Sequence, residues 1–175
     1  GAKATDCDVS PADCVNKGLV GYWDMDQMGG TTATDKSGNG NTGTLTSGPV
    51  WTQGVQPFSG GKAGGGALSF DGVNDYVDLQ SYTNIIPSGA TMWSVGLWVY
   101  VNSWSTDTYA TGFYYENTDG AGLNTKYLFR RDTGTGKLMA GYRNTDAGSL
   151  ISLGSSADSP TTKAWIYIIN TVDTV

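Results

Sequence analysis

The sequence predicts an all-β protein, an antiparallel two-sheet β-sandwich of the jelly-roll type. Short stretches rich in β-branched and aromatic residues, several with alternating apolar and polar positions, recur between clusters of Gly, Asn and Asp. The 26 glycines among 175 residues are about twice the usual share and suit tight turns. Helical periodicity is nearly absent. The length fits one domain with a single core, and a second domain is not expected.

Four strands are predicted in the first half of the chain, from runs of β-forming residues that end at turn residues. The longest segment left between them, Ser47–Gly66, holds two prolines and seven glycines and is predicted to be a surface loop held by Trp51 and Phe58. The four predicted strands are Val20–Asp24, Gly43–Thr46, Ala67–Phe70 and Tyr76–Leu79.

Six more strands are predicted in the second half, the clearest being Trp93–Val101. Its odd positions are all apolar and should face the core, whereas Ser94, Gly96, Trp98 and Tyr100 share the other face. Arg130–Lys137 is predicted to be a hairpin loop. The six strands are Trp93–Val101, Thr111–Tyr115, Tyr127–Arg131, Lys137–Tyr142, Ser149–Leu153 and Trp165–Asn170.

The charge of the chain argues against two classes of partner. The formal net charge is -6, and the ten basic residues are spread thinly from Lys3 to Lys163. Such a chain offers no cationic stripe for phosphates, so nucleic acid and anionic membranes are poor candidates. No run of 18 apolar residues occurs, so membrane insertion of this chain is not expected.

Cys7 and Cys14 lie close together in a polar N-terminal segment, residues 1–17. Their spacing permits a small disulfide loop, which we favour over free or metal-bound thiols because the chain has no histidine and few other soft ligands. A disulfide indicates an oxidising compartment, hence a secreted or cell-surface protein. No signal peptide is visible, so we expect a mature or excised piece.

Two parts of the chain resemble the paired signatures of the laminin-G-like family: Gly18–Asp26 with Asp35–Asn41, and Ala67–Val77. The resemblance implies a concanavalin A-like jelly roll over residues 18–175, used outside cells to bind glycans or cell-surface proteins. In that family a strand like Trp165–Ile169 is followed by a hairpin and further strands, so the domain looks C-terminally incomplete. Either the chain is a fragment, or a neighbouring chain supplies a strand at an open sheet edge.

Catalysis is not expected. The absence of histidine excludes Ser-His-Asp and Cys-His mechanisms. Glycosidases of the concanavalin A-like class place two glutamates on one strand, but Glu116 is the single glutamate here. Asp24 and Asp26 would share one face of a strand and form the only acid–base pair under consideration, and a solvated or cation-binding pair is the alternative.

A structural calcium ion is a second hypothesis. Asp35, Ser37, Asn39 and Gly40 match the first, third, fifth and sixth places of a calcium-loop pattern, but the twelfth place lacks its glutamate. Alternatively, Asp35 and Asn39 hydrogen-bond the turn. The resemblance adds three acidic positions, although Gln27 and Asn74 stand where many relatives carry acids. The candidate calcium ligands are Asp26, Asp35, Asn39, Asp71 and Asp75.

Aromatic side chains suggest a glycan-binding surface, because sugar rings present apolar C–H faces and polar edges. The chain has 6 Trp and 10 Tyr, and we select those in or beside predicted loops. Trp23, Trp93, Trp98 and Trp165 fall within strands, where packing is expected. Arg130 joins the candidates as a partner for acidic sugars, with simple solvation as the alternative. The candidate ligand-binding residues are Trp51, Trp104, Tyr109, Tyr114, Tyr115 and Arg130.

These features together predict an extracellular, non-catalytic binding module, with carbohydrate or a cell-surface protein as its partner. The alternative is a structural subunit of a surface filament or pilus-like assembly, in which neighbouring subunits exchange a strand and the chain self-associates.

Overall fold

A computed structural model describes residues 18–54, 65–79, 85, 92–103, 109–118, 123–132, 138–142, 151–155 and 162–173, with only the backbone described for the strands from 109 to 155 and for 172–173. The described residues form antiparallel strands and include no helix. The all-β class is therefore confirmed. The chain divides into two compact units, Gly1–Ile85 and Ile86–Val175.

The first unit contains five short strands. They are β1 (Thr32–Ala33), β2 (Gly43–Thr46), β3 (Val50–Gln53), β4 (Gly66–Ser69) and β5 (Tyr76–Asp78). β1, β2 and β5 form one antiparallel sheet with β2 in the middle, and β3 pairs with β4.

Two positions show how closely the strands of the first unit pack. Ala33 in β1 is fully buried. A Cβ at Gly43 in β2 would collide with the side chains of Val77 and Leu79, so only glycine fits this close approach without a shift.

The second unit contains six strands. They are β6 (Met92–Tyr100), β7 (Tyr109–Thr118), β8 (Leu123–Asp132), β9 (Leu138–Tyr142), β10 (Ile151–Ser155) and β11 (Trp165–Asp173). β7 to β10 form an antiparallel sheet in chain order, and β11 pairs with β6 over nine residues. The predicted hairpin is present as the β8–β9 pairing, but Arg130 and Arg131 belong to β8 and not to the loop.

The alternation predicted for the long strand is confirmed in β6. Trp93, Val95, Leu97 and Val99 are half-buried, and every residue between them is exposed. β11 continues this pattern, since Ile166 and Ile168 lie opposite Val99 and Leu97 on the half-buried face. The two strands therefore form a ribbon with one apolar side facing inward and a second, more exposed side.

Two predictions about the first unit were wrong. Val20–Asp24 contains no strand. The predicted loop Ser47–Gly66 contains β3 and the first residue of β4, and Trp51 lies within β3 opposite Leu68. β3 is only four residues long and follows Gly48 and Pro49, so the surrounding turn residues conceal it. The jelly-roll arrangement of two packed sheets stays a prediction.

Candidate functional site

The carboxylate of Asp35 is the centre of a hydrogen-bonded cluster in the first unit. Asp35 is only 9% exposed. Its Oδ1 accepts hydrogen bonds from the backbone N–H groups of Tyr22 (2.9 Å) and Ser37 (2.8 Å). Its Oδ2 accepts from Ser37 Oγ (2.8 Å) and from the Asn41 N–H (2.8 Å). Each oxygen thus receives two donors, which is the usual capacity of an ionised carboxylate.

Amide side chains connect the same turn to the segment that precedes it. Asn41 Nδ2 donates to the carbonyl of Val20 at 2.7 Å, and Asn39 Nδ2 donates to the carbonyl of Leu19 at 2.8 Å. The indole N–H of Trp23 donates to the carbonyl of Asn41 at 2.7 Å. We call this arrangement, residues 19–23 with 35–41, the Asp35 cluster.

The Asp35 cluster explains why Val20–Asp24 is not a strand. The Val20 carbonyl and the Tyr22 N–H, which a sheet ladder would use, are bonded to side chains of Asn41 and Asp35. The Tyr22 carbonyl accepts a backbone hydrogen bond from Lys36. Side-chain groups from the turn have taken the place of a strand partner.

The environment of Asp35 favours its charged form. Burial acts to raise the pKa of the Asp35 carboxyl. The hydrogen bonds from Tyr22, Ser37 and Asn41 outweigh burial and hold that pKa below its ordinary value. The carboxylate is therefore ionised wherever the cluster is folded at neutral pH.

Asp24 and Asp26, the only candidate acid–base pair, are both engaged in local contacts. Asp24 Oδ2 forms an ion pair with Lys36, and Asp24 Oδ1 accepts a hydrogen bond from the Asp26 N–H at 3.2 Å. The hydrogen bond to Asp24, together with the negative charges of Asp24 and Asp26, raises the pKa of Lys36. Asp26 Oδ1 accepts from the Gly66 N–H at 3.2 Å, which connects it to the start of β4.

The segment between β4 and β5 is a second turn stabilised by carboxylates. Asp71 Oδ1 accepts hydrogen bonds from the N–H groups of Val73 (2.8 Å) and Asn74 (3.4 Å), and Asp75 Oδ2 accepts from the Asp71 N–H (3.0 Å). Gly72 has a φ of 78°, which glycine adopts at no steric cost. This is the geometry of an Asx turn.

Four of the predicted calcium ligands therefore lie in two hydrogen-bonded turns, and Asp26 accepts a hydrogen bond from the first residue of β4. In the part of the chain that the structure describes, no three His, Cys, Asp or Glu residues converge into a group that could hold a metal ion. Within the turn, Asp35 accepts a hydrogen bond from the Ser37 N–H, and the Asn39 side-chain amide donates to the Ser37 hydroxyl. The calcium ion itself stays a prediction.

Of the predicted ligand-binding residues, Trp51 is the one whose side chain the structure describes. Trp51 lies in β3, and its indole N–H donates to the Gly30 carbonyl at 2.8 Å. Tyr109, Tyr114 and Tyr115 are positions in β7, and Arg130 is a position in β8 opposite Thr111. Trp104 lies outside the described residues, as do Cys7 and Cys14 with their predicted disulfide.

A group of exposed aromatic side chains in the second unit was not among the candidates. Trp98, Tyr100 and Tyr167 are 44%, 37% and 51% exposed on the outer side of the β6–β11 ribbon. The sequence places Trp98 and Tyr100 on one face of a strand, but packing was expected there. The signal that could have identified them was the alternation itself, since Trp98 and Tyr100 occupy positions between half-buried residues.

Cross-strand pairing arranges these rings in two neighbouring rows. Trp98 lies opposite Tyr167, with ring centroids 5.0 Å apart and planes inclined by 42°. Tyr100 lies opposite the half-buried Trp165, with centroids 5.6 Å apart and planes inclined by 57°. Successive residues on one face of a strand are about 6.6 Å apart, so the two rows adjoin.

Small and polar residues continue the same face. A Cβ at Gly96 would collide with the hydroxyl of Tyr167, so the missing side chain leaves room for that ring to lie across β6. Beyond it, the hydroxyls of Ser94 and Thr171 are hydrogen-bonded at 3.0 Å. We define the aromatic face as the more exposed side of the ribbon, formed by Met92, Ser94, Gly96, Trp98, Tyr100, Trp165, Tyr167, Ile169 and Thr171, with Asp173 at the backbone position opposite Met92.

Comparisons of the chain with protein-family models, with curated proteins and with solved structures find no match. The laminin-G-like resemblance thus stays a prediction from the residues that carry it. Among the described residues, no helix has the length and apolar character needed to cross a membrane.

Proposed function

We propose that this protein is a non-catalytic extracellular binding module that recognises carbohydrate. The observation that carries the proposal is the aromatic face, where Trp98, Tyr100 and Tyr167 expose large parts of their rings on a regular strand pair. Exposed aromatic groups that adjoin one another mark binding surfaces more often than isolated ones do. The exposed rings match the apolar faces of sugars, and nearby hydroxyls match their polar edges.

Two further observations favour binding over catalysis. The chain contains no histidine, and Asp24 is occupied by Lys36 and by the Asp26 N–H. A general acid or base must be free to exchange its proton with the substrate, which the contacts of Asp24 oppose. The extracellular location rests on the cysteine spacing and on the laminin-G-like resemblance.

A glycan array probed with the purified chain tests the proposal. We expect binding to a defined subset of glycans, and a bound glycan should raise the melting temperature in proportion to the logarithm of its concentration. An array without signal, together with an unchanged melting temperature in every glycan at millimolar concentration, would contradict a carbohydrate function.

A second candidate function is a subunit of a surface assembly. The observation that favours it is the two-stranded sheet of β6 and β11, in which neither outer edge pairs with another described strand. Unpaired strand edges are templates for pairing with a second chain. Light-scattering chromatography separates the two candidates, because a binding module stays monomeric at micromolar concentration and an assembly subunit forms polymers whether or not a glycan is present.

A further inference from the structure

We infer that the aromatic face is the binding platform of this protein and that it accepts a single chain of a neutral oligosaccharide. This inference rests on the proposed function and adds the site, the charge class and the form of the ligand. It follows from two properties of the face: its lack of a cationic residue and the inclination of its rings.

The lack of a cation selects a neutral ligand over an acidic one. No lysine or arginine occupies a position on the aromatic face, Asp173 lies opposite Met92, and the chain as a whole carries a formal net charge of -6. A sulfated or acidic polysaccharide would be repelled by the overall field and would find no cation among these side chains. A neutral sugar pays no such cost, and it can exchange hydrogen bonds with the hydroxyls of Ser94, Thr171 and the tyrosines.

The exposed rings are large enough to hold a small ligand. With aromatic side chains of 150–250 Å², the exposed parts of Trp98, Tyr100 and Tyr167 amount to roughly 300 Å². Met92 and Ile169, which are 65% and 62% exposed, extend this apolar surface. The rings therefore offer enough surface to cover a few sugar units.

The inclination of the rings selects a single chain over a flat surface. Because the planes of Trp98 and Tyr167 differ by 42°, the two rings cannot both lie flat on one planar crystal face of a polysaccharide. An isolated oligosaccharide can rotate about its glycosidic bonds and present a different sugar face to each ring. Gly96 permits this arrangement, since any side chain there would displace the Tyr167 ring.

The test is calorimetric titration of the full chain with soluble hexaoses of the cello, xylo, manno, malto and chito series. Trp98→Thr and Tyr167→Thr remove a ring but keep a residue that favours strands. Tyr76→Thr is the matched control, because Tyr76 also lies in a strand and is 49% exposed, but it belongs to the first unit. We expect at least one hexaose to bind, both ring variants to bind about tenfold more weakly or worse, and the control to stay within about twofold.

A second variant separates the site from the stability of the ribbon. Gly96→Ala keeps every ring but pushes the Tyr167 hydroxyl aside, and a flexible ring can yield at little cost to folding. We expect weaker hexaose binding with an unchanged far-ultraviolet circular dichroism spectrum. Unchanged affinity in Gly96→Ala, or in a folded Trp98→Thr variant, overturns the inference while leaving the carbohydrate function intact.

The remaining outcomes are also decisive. Binding to heparin or to crystalline cellulose, with no affinity for the hexaoses, overturns the neutral single-chain ligand but not carbohydrate recognition. Self-association that Trp98→Thr abolishes would instead make the face an interface between copies of this chain. If no glycan binds at all, the proposed function fails, and the inference fails with it.

Discussion

The Asp35 cluster and the β6–β11 ribbon both contain runs of β-branched and aromatic residues, yet they fold by different means. In the cluster, backbone groups of residues 19–22 are bonded largely to side chains of the 35–41 turn. In the ribbon, nine residues pair with nine across a regular antiparallel ladder, and the side chains separate into a half-buried and an exposed face. The first arrangement depends on a few irreplaceable polar atoms, and the second on a repeated pattern that tolerates single changes.

The largest loss of stability is expected when the carboxylate at the centre of the cluster is removed. Asp35→Ala leaves three backbone N–H groups and the Ser37 hydroxyl without their acceptor. Since hydrogen bonds to charged groups contribute about 1.5–3 kcal/mol each and the effects are not additive, we expect a loss of about 3–5 kcal/mol. Hydrogen exchange of the Tyr22, Ser37 and Asn41 amides measures it directly, because these amides are the donors.

Asp71→Ala provides the control for that experiment. Asp71 also accepts two backbone hydrogen bonds in a turn, but it is exposed, so water can replace its lost bonds. We expect a change within about 0.5–1 kcal/mol. Equal losses for the two variants would show that the burial of Asp35 contributes nothing to its role.

Acid should destabilise the Asp35 cluster, because protonation neutralises the carboxylate that accepts its hydrogen bonds. The pKa of Asp35 is lower in the folded state than its value of about 3.9 in an unfolded chain. The resulting stability is present above the unfolded pKa and is lost as the pH falls through the folded pKa. We expect protection of the Tyr22 and Asn41 amides to decrease below about pH 4, while amides in the β6–β11 ladder decrease less. Equal pH dependence in both regions would contradict this assignment.

The same contrast explains what the sequence could predict. In Trp93–Val101 the alternation correctly predicts a strand, because the backbone groups of this segment pair with those of another strand. In Val20–Asp24 a run of β-forming residues wrongly predicts a strand. The decisive hydrogen bonds are made by the side chains of Asp35 and Asn41, which lie 13 and 21 residues away from their partners. Helix, strand and turn signals describe near neighbours, and they do not report such contacts.

The candidate site shows this limit as well. The shared face of Trp98 and Tyr100 follows from the period of two along a strand. Their pairing with Tyr167 and Trp165 depends on the register between β6 and β11, which joins residues almost 70 positions apart. No local pattern fixes that register, so the sequence favours loop aromatics such as Trp51, whose indole is hydrogen-bonded to the Gly30 carbonyl.

A smaller effect, of the opposite sign, is expected within the ribbon. Asn170 lies opposite Val95 on the half-buried face and is 8% exposed, and its side-chain N–H group has no hydrogen-bond partner among the residues that the structure describes. A buried amide without a partner costs free energy, so the isosteric change Asn170→Leu should raise stability by about 1 kcal/mol. Urea unfolding followed by circular dichroism measures the change, and a loss of stability would mean that the amide makes a favourable contact.

The smallest effect is expected for the ion pair of Lys36 with Asp24 in the first unit. The Lys36 side chain is half-exposed, so water and salt screen its attraction to the carboxylate. We expect Lys36→Gln to leave hydrogen exchange in the Asp35 cluster unchanged, and 1 M sodium chloride to have no effect on the wild-type cluster. The Lys36 backbone N–H, which bonds the Tyr22 carbonyl, is retained in this variant. A large loss of protection in Lys36→Gln would mean that charge pairing, and not the set of short hydrogen bonds to Asp35, holds residues 19–23 against the turn.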